Sequence, residues 1–380
     1  MFLTRLFRKK SSMPKSSFVI EICERHKEDG CSPKAADLIE RSFLNGKISE
    51  CTALSVAEGL SYCNDIAELK SRFAIKERPE EIVKIEHGRL DPVFGAVYGD
   101  IIGSEHEGKL TADISESVNN PLRSACRPTD DSILTIATLD AICHTRRKVE
   151  YYNSKFTVKP KDIYFRSSFP IRYNPYTRLY KDAAKRFPNA GYGSAFIDWV
   201  ESDDERPYGS LGNGSAMRVS PIGALYNNVS DVIEQAAVSA MATHNHIEGV
   251  KGAIVTAVCI WMARNGYSKK QIFEYMKKHY SYGESRNIFK AFTYEEASGK
   301  SSNQVECSYS VPAAVISFFR SQNYMDAIRL SACVGLDTDT NACICGGIAG
   351  AYYGVPDNVK DIVHDKLSKL FGSDPLIDME

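Results

Sequence analysis

An all-α body is the fold class that this sequence predicts, and three observations predict it. Apolar residues recur at helical spacing in several long runs, alternating strand patterns are scarce, and glycines punctuate the helical stretches. A chain of 380 residues with 43% hydrophobic and 25% charged content has the composition of a soluble globular protein with a large core.

Taken in chain order, the first 90 residues are charged and mostly helical in pattern, with turn signals at Asp29-Gly30, Asn45-Gly46 and Arg78-Pro79. They read as a small helical extension that binds a protein partner or covers the main body. Their first 15 or so residues, basic and serine-containing, read as a disordered tail; a mitochondrial-type presequence shares that composition. The main domain is expected over residues 91–380. Within it, residues 133–142 form an apolar helical run, followed by Val232, Ile233, Ala236, Ala237, Ala240 and Met241 at helical spacing. Val250, Ala253, Ile254, Ala257, Val258 and Trp261 repeat the pattern, as do Val359, Ile362, Val363, Leu367 and Leu370. Residues 151–180 and 295–308 break the period and read as connections or insertions.

Composition excludes several classes of function. Lysine plus arginine (47) nearly cancels aspartate plus glutamate (48), so no bulk basic field exists to hold nucleic acid. No run approaches the ~18 apolar residues of a membrane span. The eleven cysteines lack a disulfide-like or CxxC spacing, which suits a reducing, cytoplasmic setting, and Cys343 and Cys345 read as small buried hydrophobes.

Three acidic segments stand out. They are Gly99-Asp100 through Glu105-His106-Glu107, then Thr129-Asp130-Asp131, then Asp337-Thr338-Asp339-Thr340. The last two directly precede apolar helices, so each taken singly reads as helix capping. Adjacent aspartates exceed what a cap requires, and if the two clusters converge they need cations between them. Carboxylates with threonine hydroxyls are hard ligands, suited to Mg²⁺, Mn²⁺ or Ca²⁺. The glycine loop of residues 209–218 allows backbone to approach a ligand closely, although a plain turn explains it equally well when taken alone. In Thr243-His244-Asn245-His246-Ile247-Glu248 the two histidines read as a hydrogen-bond donor or a helix cap rather than zinc ligands.

Six segments, GAVYGDIIGSEHE, RPTDDSILTIATLDAI, FPNAGYG, SLGNGSAMRVSPIGALY, ATHNHIEGVKGA and VGLDTDTNACICGGIAGAYYG, occur in that order. Together they resemble the ADP-ribosylglycohydrolase family, which includes the dinitrogenase-reductase-activating glycohydrolases. The resemblance runs from about residue 94 to about residue 371. It implies an orthogonal helical bundle with a central two-metal cleft holding Mg²⁺ or Mn²⁺, and hydrolysis of ADP-ribose from modified protein side chains. By motif it implies Thr129, Asp130, Asp131, Asp337, Asp339 and Thr340 as metal ligands, with Glu107 and Asp131 at the reacting bond. Glu105 is an additional acid nearby. Ser210, Gly212, Asn213, Gly214 and Ser215 would cradle the diphosphate and ribose, His244 would contact ADP-ribose, and Tyr192 is the candidate for adenine. The expected partners are ADP-ribose and an ADP-ribosylated protein, with arginine as the acceptor and serine, threonine, small-molecule or nucleic-acid conjugates as alternatives. A non-catalytic ADP-ribose binder that keeps the fold is the remaining alternative, and a monomer is expected. Two positions depart from the family pattern. Leu336 stands where a second glycine is usual, which predicts a reshaped loop because leucine tolerates a left-handed backbone poorly. Leu211 stands where some relatives carry an aromatic.

Overall fold

The computed structural model describes residues 44, 66–76, 88–109, 115–156, 174–280 and 305–377, with side chains of the helix that begins at Asp130 described as far as residue 143. Among these residues every regular element is helical, and the sole β-type pairing is a bridge between Gly212 and Glu306. The elements run α1 (Ile66–Arg72), α2 (Asp91–Gly103), a 3-10 turn (Ser104–His106), α3 (Ser115–Asn119), α4 (Asp130–Phe156) and α5 (Pro175–Arg186). They continue with α6 (Ser194–Glu201), α7 (Gly214–Met217), α8 (Ser220–Leu225), α9 (Val229–Ala240) and α10 (Ile247–Arg264). The chain closes with α11 (Lys269–His279), α12 (Cys307–Arg320), α13 (Tyr324–Ala332), α14 (Thr338–Tyr353) and α15 (Asp357–Phe371).

The centre of the fold is the pair α2 and α14, both buried along their whole described length except at the last two residues of α14. Gly95, Gly99 and Gly103 recur every fourth residue on α2, so they form one stripe along its face. A Cβ at Gly99 would stand 2.1 Å from the Ala342 carbonyl oxygen, and one at Gly95 would stand 2.3 Å from that of Gly346. At the far end, a Cβ on Gly103 would lie 2.5 Å from the Cα of Asp339. Only glycine permits this approach, and it brings the C-terminal turn of α2 against the N-terminal turn of α14. At the opposite end of the pair, buried Asp91 accepts from Val355 N (3.0 Å) and pairs with Lys360 (2.7 Å).

Other elements wrap this pair. Helix α10, apolar on nearly every side, packs against α9, α8 and α14. The periodic runs read from the sequence fall within α9, α10 and α15. Residues 151–180, read as an irregular connection, instead include the end of α4 and the start of α5, with residues 157–173 outside the described set. Helix α5 begins at Pro175 behind Asn174, whose side chain accepts from Tyr176 N (2.9 Å). Its buried face is Tyr176, Thr177, Tyr180, Lys181 and Ala184, a helical stripe without a large aliphatic side chain and with a lysine and a threonine in it. Likewise α12 starts at Cys307, inside the second stretch read as a connection.

Of the N-terminal extension, α1 falls among the described residues. Leu69 and Phe73 are fully buried, Phe73 stacks on His279 of α11 (4.5 Å between centroids), and Tyr275 donates to the Phe73 carbonyl (3.0 Å). The expected disordered tail lies outside the described residues. No described helix is long and apolar enough to cross a membrane.

Candidate functional site

Three helix ends meet around Asp100. It lies on α2, and its carboxylate accepts from Thr129 N (2.8 Å), Thr129 Oγ1 (2.6 Å), Ser132 N (3.0 Å) and Ser132 Oγ. Asp100 therefore caps α4 from a different helix and satisfies amides that a local side chain would otherwise serve. That leaves Asp130 and Asp131 free of capping duty. At α14, Asp337 occupies the N-cap position without a capping hydrogen bond from its side chain. Its Oδ2 accepts instead from Asn213 Nδ2 (2.6 Å), which also donates to Ser310 Oγ (2.8 Å).

The acidic segments of α4 and α14 thus converge. Oxygens of Asp100, Asp131 and Asp339 lie within 4.8 Å of one another, and all three residues are buried. Thr340 Oγ1 donates to Asp131 Oδ2 (3.2 Å), which ties the two segments together. Asp131 Oδ1 is buried with no hydrogen-bond partner among the described residues, an orphaned carboxyl oxygen in the middle of the cluster. Asp130 stands at the edge, half-buried, its N–H donating to the Ala190 carbonyl (3.1 Å).

Electrostatics follow from this crowding. Burial, then the Asp100 charge, then Asp337 and Glu107 push Asp130 up to about 8. Burial and the neighbouring aspartates push Asp131 and Asp339 well above the usual carboxylate range. Asp100 rises to about 6 because burial outweighs its four hydrogen bonds. Asp337 is raised by burial against the opposing Asn213 bond. Carboxylates so placed hold protons near neutrality unless a cation replaces them. An orphaned oxygen, threonine hydroxyls and converging aspartates fit a hard divalent cation.

Glu107 is exposed at the lip of the cluster, just beyond the 3-10 turn. Partial desolvation of its carboxyl group and then Asp337 raise its proton affinity, against Arg127. Its position is set by a backbone clasp: Gly108 N donates to Leu336 O and Leu336 N donates to Lys109 O, each at 2.6 Å. Here the expectation of a reshaped loop is corrected. Leu336 adopts φ 60° beside Gly335 at φ 85°, so the left-handed turn forms, held by that clasp. Glu105, in contrast, is engaged by Ser117 Oγ (2.8 Å) and Arg123.

The glycine loop lies on the other side of Asn213. Asn213 N donates to Val305 O (2.8 Å), Cys307 N to Leu211 O (3.2 Å) and Gly212 N to Ser210 Oγ (3.2 Å). Ser215 is fully buried, and its hydroxyl donates to Gly249 O (2.7 Å), so it anchors the loop to α10. His244 is buried behind the loop: a Cβ on Gly212 would stand 3.8 Å, and one on Gly214 3.7 Å, from its Nε2. His246 caps α10, accepting from Glu248 N (3.2 Å), and Glu248 pairs with Lys251 (2.6 Å). Tyr192 sits next to Gly191, where a Cβ would be 3.4 Å from Asp130 Oδ1. Its ring stacks on Phe196 (5.2 Å), and its hydroxyl is buried without a partner among the described residues. Cys343 and Cys345 are buried thiols donating to the carbonyls of Met217 and Ala327 (both 3.4 Å).

Sequence reasoning assigned no role to Asp100, although it quoted the residue. The glycine at every fourth position was the available signal, since it marks the face on which α2 meets α14.

Fold and site together define a class: an all-α protein able to hold a hard cation between two helix N-termini, beside a glycine loop. The chain belongs to the ADP-ribosylglycohydrolase family, whose model matches residues 90–374. It is 26% identical over 323 residues to "ADP-ribosylhydrolase ARH3" of Xenopus tropicalis, covering 69% of this chain and 86% of that one. It is 27% identical over 320 residues to the Homo sapiens protein of the same name, covering 69% and 84%. A solved structure described as an "ADP-ribosylglycohydrolase-related protein complex" shares the fold, with a TM-score of 0.50, 20% identity and coverage of 77% of this chain and 97% of that one. The chain is accordingly a hydrolase acting on ADP-ribose glycosidic linkages.

Proposed function

We propose that the chain removes ADP-ribose from modified protein side chains. The observation that supports this best is the convergence of Asp131 and Asp339, from segments about two hundred residues apart, on an orphaned carboxylate oxygen. In this reading Thr129, Asp130, Asp131, Asp337, Asp339 and Thr340 hold two divalent cations, Mg²⁺ or Mn²⁺. Bound there, cations supply charge neutralisation and Lewis acidity toward the sugar hydroxyls. The loop carrying Ser210, Gly212, Asn213 and Gly214 binds the diphosphate, remote from the bond that breaks, and so contributes orientation. Asn213 joins the two halves, because its amide donates to Asp337 from within the loop.

Glu107 is the proton-transfer group. It is exposed beside the cluster, and its raised proton affinity matches a carboxyl that must both hold and release a proton. Charge developing at the anomeric carbon is positive, and the Glu107 carboxylate, which lies outside the cation-holding set, favours it when ionised. Arginine is the acceptor this reading takes first: a guanidinium is cationic, and Glu107 at the lip is an acid outside the cation-holding set.

The test is release of ADP-ribose from arginine-, serine- and threonine-modified proteins, with Mg²⁺ or Mn²⁺ and with EDTA. Metal-dependent release from the arginine-linked protein is expected. Release from the serine- or threonine-linked protein alone would replace arginine and keep the reaction. Binding of ADP-ribose with no release from any would leave a binder of the same fold.

A further inference from the structure

A buried arginine stands behind the glycine loop. Arg218, at the end of α7, is 1% exposed, and no carboxylate among the described residues pairs with it. Its guanidinium lies over the Tyr180 ring, 4.1 Å from the centroid, and donates to Ser239 O (3.0 Å) and Thr243 Oγ1 (2.8 Å). Tyr180 is itself fixed by Thr138 Oγ1 (2.8 Å) and Ser239 Oγ (2.7 Å). Thr243 Oγ1 is then 2.7 Å from His244 Nδ1.

The direction of each proton follows from donor inventory. A guanidinium has no acceptor, so Thr243 Oγ1 accepts from Arg218. The threonine hydroxyl has one hydrogen, and His244 Nδ1 is its one acceptor among the described residues. A proton on Nδ1 would leave that buried hydroxyl hydrogen without an acceptor. A charged imidazolium would in addition lie beside the uncompensated Arg218 cation, in a buried setting that already disfavours charge. The ring proton therefore belongs on Nε2, the nitrogen that faces Gly212 and Gly214, where the Gly212 backbone bonds the ring.

We propose that Arg218 and Thr243 are positioning residues that hold His244 neutral with its proton on Nε2, so that the ring pins the Gly212 backbone and fixes the glycine loop for a diphosphate ligand. This rests on the loop's reading as a diphosphate cradle. Arg218 adds a permanent positive field behind the same loop, and no carboxylate among the described residues pairs with it. The chain of bonds makes His244 indifferent to pH through the neutral range, unlike an exposed histidine.

The experiment is ring-nitrogen NMR of the full-length protein labelled with ¹⁵N at histidine, with the His244 signals assigned by their loss in His244→Gln. The wild type is expected to show protonated Nε2 and unprotonated Nδ1 from pH 5 to pH 8. Thr243→Val, which keeps the shape and removes the hydroxyl, is expected to give mixed tautomers and to weaken ADP-ribose binding about tenfold. Thr243→Ser is expected to restore both. A wild-type His244 protonated on Nδ1, or charged at pH 7, overturns the proposal without any variant having to fold. A Thr243→Val protein that keeps both tautomer and affinity also overturns it. If wild type shows the expected tautomer yet binds no ADP-ribose, the cradle reading fails, and with it the ligand that the pinned loop is proposed to serve.

Discussion

Replacing Gly99 by alanine tests the link between the helix pair and the acidic cluster. The new Cβ would meet Ala342 O at 2.1 Å, Ala342 C at 2.5 Å and Cys343 N at 2.9 Å, all backbone atoms that cannot rotate aside. Reaching an ordinary contact of 3.4 Å requires α2 and α14 to part locally by about 1.3 Å. Overpacking of this kind costs ~1–3 kcal/mol, and parting two buried helices forfeits further contacts. Alanine's better helix propensity returns only ~1 kcal/mol. With the forfeited contacts roughly offsetting the propensity gain, a net loss of about 1–3 kcal/mol is expected, or ~2–6 °C in melting temperature at ~2 °C per kcal/mol for a domain of this size. Because Asp100 is the next residue on α2, and Asp339 sits one turn before Ala342 on α14, the same displacement should weaken Mg²⁺ or Mn²⁺ binding. Gly193→Ala is the matched control, since a Cβ there meets nothing within 4 Å and φ is −62°. Calorimetric melting with and without cation, plus titration calorimetry, reads both effects. A Gly99→Ala protein that melts within 1 °C of Gly193→Ala and binds cation as tightly as wild type would refute the reasoning.

Asp130→Ala and Asp339→Ala are each expected to lose turnover and the stabilisation by added Mn²⁺, read by ADP-ribose release and thermal shift; near-native values in both would remove the cluster from metal binding. With EDTA, stability should fall as pH rises from 5 to 8: Asp130 keeps its proton up to about 8 when folded, whereas an unfolded aspartate releases it near ~3.9, so the folded state binds more protons across that window. Saturating Mg²⁺ or Mn²⁺ should flatten that slope in a pH series of melting curves. Leu336→Gly should change stability by less than about 1 kcal/mol, because relief of left-handed strain is offset by the entropy of glycine. Leu336→Val should cost ~1–2 kcal/mol, since a β-branched residue resists φ 60° more strongly. Glu107→Gln should keep ADP-ribose affinity and lose release, measured by titration calorimetry against single-turnover rates.

What the sequence disclosed followed physical locality. Helices α9, α10 and α15 were legible because their apolar residues repeat within a dozen positions. Helix α5 was not, because tyrosine, threonine and a lysine fill its buried face; Lys181 is accommodated by donating to the carbonyls of Ser202 (2.7 Å) and Asp204 (2.9 Å) while lying over Trp199. The acidic segments were visible, and so was the suspicion that capping alone did not explain them. Their convergence was hidden, since it depends on glycines whose meaning is a distance between two helices more than two hundred residues apart. The same holds for Arg218. In sequence it closes a glycine loop like any exposed arginine, and only its partners, one from α5 and two from α9 and the segment after it, show it to be buried.

Asp100 shows why capping and ligation are complementary rather than competing accounts of the acidic segments. A helix start presents amides without intrahelical partners, and something must accept from them. At α4 that demand falls on Asp100, which bonds the amides of Thr129 and Ser132. Because the cap arrives from α2, the two aspartates at the helix start are spared capping, and Asp131 Oδ1 is left with no partner among the described residues. An Asp100→Asn exchange bears on this directly: it preserves shape, but its single carbonyl oxygen cannot accept the full set of bonds that the carboxylate accepts. It should destabilise the start of α4 and loosen Asp131 together. Hydrogen exchange at the amides of Thr129 and Ser132, followed with and without Mn²⁺, should show faster exchange in the variant and little protection on adding the ion. Unchanged exchange at those amides, with cation binding lost, would mean that Asp100 acts as a ligand and not as the cap.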